Sequence, residues 1–127
     1  MIRALRPVRV PALLLWVALA FPMPPPAAAH AVVLESSPAP GAVLSRSPAQ
    51  VTLRFNSKLE KRFTRVTLAT GDLPPAPVAL PASQDPAPDR LVIPIRSLAP
   101  GDYVLRYRVL AVDGHITEGA LRFTVEP

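Results

Sequence analysis

"DYVLRYRVLAV", residues 102–112, alternates apolar and polar side chains along its length. Tyr103, Leu105, Tyr107 and Val109 fall on one side, and Arg106 and Arg108 on the other. A repeat of two belongs to a half-buried strand, whereas a helix repeats every three to four residues. "VDGH" follows, and Asp-Gly is a strong hairpin-turn signal. "GALRFTVE" (119–126) then resumes the alternation with Leu121, Phe123 and Val125 inward. Three earlier segments read the same way. "VTLRFN" (51–56) sets Val51, Leu53 and Phe55 against Thr52 and Arg54, and "RVTLAT" (65–70) turns Val66 and Leu68 inward. "RLVIPI" (90–95) does so with Leu91, Ile93 and Ile95, Pro94 marking an edge strand or a bulge.

Turn chemistry separates these runs at "PAPG", "TGD" and "APGDY". "LPPAPVALPASQDPAPDR" (73–90) reads as a loop-rich crossing between strands that need a common core. Twelve of the chain's 18 prolines fall after residue 30, a density that forbids long helices. The expectation is an all-β domain of about seven short strands, a small β-sandwich of Ig-like or cupredoxin-like topology.

The first thirty residues have a different character. Arg3, Arg6 and Arg9 precede the apolar run "ALLLWVALAF" (12–21), and "PMPPPAAA" closes on small residues. This order is that of a Sec-type signal peptide over residues 1–29. The apolar run is about half the roughly twenty residues a spanning helix needs, so an uncleaved anchor is the weaker alternative. Cleavage after Ala29 leaves residues 30–127, beginning "HAVVLESSPAPG"; a cut after Ala31 also satisfies Ala-x-Ala but sets an imidazole beside the scissile bond. The product is expected to be exported.

Removing the leader takes the formal charge from +5 to +2. The remaining basic residues, as in "RFNSKLEKRFTR" (54–65), are interleaved with apolar ones, which reads as a solvated face. A nucleic-acid partner is not expected. The chain has no cysteine, and its two methionines and single tryptophan lie in the leader. With no disulfides, the domain depends on core packing alone; it is expected to act as a monomer.

The two histidines, His30 and His115, are the chemistry-bearing residues that stand out. At a new N-terminus His30 offers its α-amine and its ring Nδ1, which together can chelate one metal. His115 adds a third nitrogen, and Asp113 a carboxylate oxygen. If extended, residues two apart point to the same side; Gly114 permits that or a tight bend. A nitrogen-rich set with an added oxygen suits Cu(II), with zinc the second candidate. Soft ligands for Cu(I) are missing after residue 30. "DGH" alone is equally a turn, and an isolated histidine is more often a surface or packed residue than a ligand.

Taken together, "HAVVLESSPAPGAVL" (30–44), "P-x-x-V-T-L-R-F" (48–55), "L-A-P-G-D-Y" (98–103) and "V-D-G-H-x-x-x-G-x-x-x-F-x-V" (112–125) resemble the periplasmic copper-resistance protein family CopC. The resemblance spans residues 30–127 in order. It implies a seven-stranded Greek-key β-barrel and one Cu(II) per chain in a histidine brace of His30, Asp113 and His115. It also implies copper buffering, or delivery to a CopD-like inner-membrane copper transporter, rather than enzymatic turnover. Some members add a methionine-rich Cu(I) site, which this chain lacks the residues to build. Members often carry a glutamate shortly after the "L-x-F" strand; here "FNSKLE" (55–60) places Ser57 there, with Glu60 further on. Two other functions stay open, a histidine-brace copper oxidase and a metal-free Ig-like binding module.

Overall fold

The structure, a computed structural model, describes residues 31–127 together with residues 4, 7 and 22. Apart from those three, the expected leader, its cleavage point and His30 lie outside the described residues. Among the described residues eight strands form: β1 (Val33–Ser37), β2 (Ala42–Leu44), β3 (Gln50–Phe55), β4 (Arg65–Thr70), β5 (Ala76–Pro77), β6 (Arg90–Pro94), β7 (Gly101–Leu110) and β8 (Ile116–Val125). A single 3-10 turn, Lys61–Phe63, precedes β4. Seven strands have three or more residues; the eighth is the two-residue β5 inside the proline-rich crossing.

The strands form two sheets, ordered β1-β3-β6 and β2-β8-β7-β4-β5. Alternation becomes burial where it was strongest. Val51, Leu53 and Phe55 of β3 and Leu91 and Ile93 of β6 face Leu105, Val109, Leu121, Phe123 and Val125 of the larger sheet, all at most 3% exposed. Each such side chain contributes about 1.5–3 kcal/mol relative to staying in water. This packing replaces the disulfides the chain cannot form. Tyr103 stacks on Phe123 and donates its hydroxyl hydrogen to the Ala99 carbonyl at 2.6 Å, a bond of the tyrosine-corner kind found in Greek-key sandwiches.

Pro94 ends β6, whose only strand partner among the described residues is β3. On the open side of β6, the Gln84 side chain stands in for a neighbouring strand. Its amide donates to the Val92 carbonyl at 3.0 Å and accepts the Val92 N–H at 3.1 Å. An edge satisfied in this way offers less to a pairing chain. Lys61 ties the same crossing down by donating to the carbonyls of Asp85 and Ala87, and burial lowers the pKa of its ammonium.

Candidate metal centre

β7 and β8 stay in register as far as Leu110 opposite Ile116, which leaves residues 111–115 as the loop at one end of the larger sheet. The Gly114 N–H donates to the Ala111 carbonyl, and the Ala111 N–H to the His115 carbonyl, both at 2.9 Å. Gly114 sits at φ +91°, backbone that a side chain would strain. The bend is therefore the tight one rather than an extended run. It still brings the two polar side chains together: Asp113 Oδ1 accepts the His115 backbone N–H at 3.1 Å and lies 3.2 Å from His115 Nδ1. The His115 backbone N–H, the largest cause, holds the Asp113 carboxyl below its ordinary pKa, with the ring adding to the effect. The carboxylate thus stays ionised, the form that ligates a cation.

Two other segments meet this loop. Residues 56–60 run beside it: Ala111 bridges Leu59, Val112 N–H donates to the Lys58 carbonyl at 3.0 Å, and Glu60 N–H to the Leu110 carbonyl at 2.8 Å. Ala31 and Val32 lie at the same end. Ala31 is 2% exposed within the core, and its N–H donates to Thr117 Oγ1 at 3.2 Å. Val32 and Asn56 exchange two bonds, Val32 N–H to Asn56 Oδ1 at 2.8 Å and Asn56 N–H to the Val32 carbonyl at 2.9 Å. Thr117 lies two residues beyond His115 on the same chain.

Asp113 and His115 are thus brought together, while His30 lies outside the described residues. No group of three or more His, Cys, Asp or Glu side chains converges among the described residues. Ser57 donates to Asn56 Oδ1 at 3.3 Å, and half-buried Glu60 is held through its backbone. Asn56 and Thr117, which fix where Ala31 and Val32 lie, carry no sequence signal, because their bonds join residues 24 and 86 positions apart. Asn56→Ala should cost about 1 kcal/mol of stability. It should also speed exchange of the Val32 amide far more than that of amides in β7, read by hydrogen exchange; equal changes at both would discount the clamp.

The chain matches the CopC domain family over residues 33–126. It is 33% identical over 100 residues to Protein YobA of Escherichia coli (strain K12), covering 77% of this chain and 80% of that one. It is 31% identical over 104 residues to Copper resistance protein C of Xanthomonas campestris pv. juglandis, covering 77% and 81%. Among solved structures, CopC from Methylosinus trichosporium OB3b aligns with a TM-score of 0.68 at 31% identity, over 77% of this chain and 95% of that one.

Proposed function

The chain belongs to the CopC family, and from that membership we propose that it is an exported periplasmic protein that holds one Cu(II) and buffers it or passes it to a CopD-like membrane transporter. The proposed ligands are the His30 amine and ring, Asp113 and His115. The observation that carries the reading is the placement, at one end of the sandwich, of the Asp113–His115 pair and of Ala31, the residue after His30, whose N–H bonds Thr117. Asp113 Oδ1 takes the Nδ1 side of the His115 ring and leaves Nε2 without a partner among the described residues. A carboxylate that orients an imidazole in this way also raises its basicity as a ligand.

The donor set fits the ion: imidazole nitrogen and carboxylate oxygen suit Cu(II), and no thiol or thioether lies among residues 30–127 to hold Cu(I). The burial of Ala31 supports a mature start at His30, because a cut after Ala31 would strip a side chain from the core and its hydrogen bond from Thr117. No helix among the described residues is long and apolar enough to cross a membrane.

The test is intact mass of the exported protein followed by titration with each copper oxidation state. The expected results are a chain starting at His30, one equivalent of Cu(II), no tightly held Cu(I), and no turnover with ascorbate or peroxide. A chain starting at Val32 or a second Cu(II) equivalent would defeat the ligand set, and turnover would favour the oxidase.

A further inference from the structure

Period-two alternation has a second consequence. Interleaved arginines, which form no run in the sequence, stack on one face when the segment is a strand. Arg106 and Arg108 of β7 share the outer face of the five-stranded sheet, and both are exposed. The register adds Arg65 of β4 directly opposite Arg108, and Arg122 of β8 opposite Val104, one step along from Arg106. Like charges directly opposite on neighbouring strands destabilise a sheet, with side chains about 4.5–5.5 Å apart at Cβ. The face carries two carboxylates. Glu118 pairs with Arg108 at 3.3 Å, and Asp102, at the far end, accepts from the Thr124 hydroxyl at 2.6 Å. Arg65, Arg106 and Arg122 enter no ion pair among the described residues. Between them stand uncharged side chains, Thr67, Ala69, Val104 and Ala120.

We propose that this outer sheet face docks on an anionic phospholipid bilayer. Unpaired guanidinium groups spread over three adjacent strands form a broad, shallow array, suited to a plane of phosphate headgroups. Two large apolar side chains lie where β4 and β8 begin, close to that array. Phe63, just before β4, is 51% exposed with the Arg62 guanidinium 4.7 Å from its ring centroid, and Ile116, opening β8, is 50% exposed. Apolar side chains beside a basic cluster are the pattern of a surface that lies at the headgroup boundary. The charge complementarity decides the occupant, and the inference does not rest on the copper reading. Docked this way, the end of the sandwich bearing Asp113 and His115 is carried to the membrane surface.

The experiment is titration of the exported protein, as recovered from cells, with vesicles of phosphatidylglycerol and phosphatidylcholine and with vesicles of phosphatidylcholine alone. Binding is expected only to the anionic vesicles. It should fall as ionic strength rises from about 0.1 M to about 1 M and the screening length shrinks from about 10 Å to about 3 Å. Each arginine near such a surface is worth roughly five-fold in binding, so Arg65→Glu with Arg106→Gln and Arg122→Gln should lose about a hundred-fold or more. Arg65→Glu also gives Arg108 an opposite charge across the strand, so the triple variant should unfold no earlier than the parent, which separates lost docking from lost folding. Equal binding to both vesicle types, no binding to either, or a triple variant that binds like the parent overturns the proposal. So does capture of an acidic protein by this face without vesicle binding.

Discussion

One extra residue placed before His30 is expected to lower Cu(II) affinity by more than about a hundred-fold, beyond the 10–100-fold typical of losing an outer partner of a metal ligand. The added residue turns the α-amine into an amide, which would remove one nitrogen and break the chelate proposed for amine and ring. His115→Ala should cost a similar amount, since it also removes one nitrogen. Asp113→Asn should cost less, because an amide oxygen still approaches the ion without its charge. The pH dependence carries a sign. In the proposed ligand set copper needs the amine unprotonated, so binding should release its proton, and the affinity of the parent protein should fall as pH drops below the amine's ordinary range near about 8. Losing the amine removes that contribution, so the slope of affinity against pH should be shallower in the extended variant. Competitive Cu(II) titration at two pH values reads both effects. An extended variant with unchanged affinity and slope would leave His30 binding through its ring at most.

The pair Asp113–His115 was legible because its members stand two residues apart and Gly114 allows them to meet in either backbone geometry. Strands whose inner faces are fully buried were legible for a similar reason: Val51, Leu53 and Phe55 report the core of β3 through their spacing alone. β1 and β2 left no such trace. Leu34 and Val43 are 53% and 61% exposed, so apolar residues there do not mark an inner face, and β2 spans only three residues. β1 also carries a register shift between Val33 and Glu35, which breaks any repeat of two. The last strand begins at Ile116 rather than near Gly119 because its first turn is not read by burial. Ile116 is half exposed, and Thr117 spends its hydroxyl on Ala31. Gly119 has a reason of its own, since a Cβ there would overlap the Tyr107 phenol lying across it. The grouping of the arginines on one face needed the register. Only the pairing of Arg65 with Arg108 shows that residues 43 positions apart share a surface.

Phe55→Ala should cost about 3–5 kcal/mol, a large share of the roughly 5–15 kcal/mol that holds a domain of this size. Phe55 is 1% exposed and meets Tyr107 edge-on, with ring centroids 5.7 Å apart at 83°. The melting temperature should fall by at least about 12 °C. Phe123→Ala is the matched control. That ring is 2% exposed and stacks on Tyr103 at 5.6 Å, toward the opposite end of the sandwich. The two variants should lose similar stability but differ toward copper. Phe55 immediately precedes Asn56, whose side chain and backbone hold Val32, so a collapsed cavity there should shift Val32 relative to His115. Copper that binds only the folded protein stabilises it by an amount that grows with affinity, about 2.7 kcal/mol at a hundred times Kd. At one copper concentration, Phe123→Ala should regain nearly the full increment seen in the parent protein, and Phe55→Ala distinctly less. Denaturant unfolding with and without Cu(II) measures all four quantities. Equal recovery in the two variants would show that the packing beneath Asn56 does not position the end bearing Asp113 and His115.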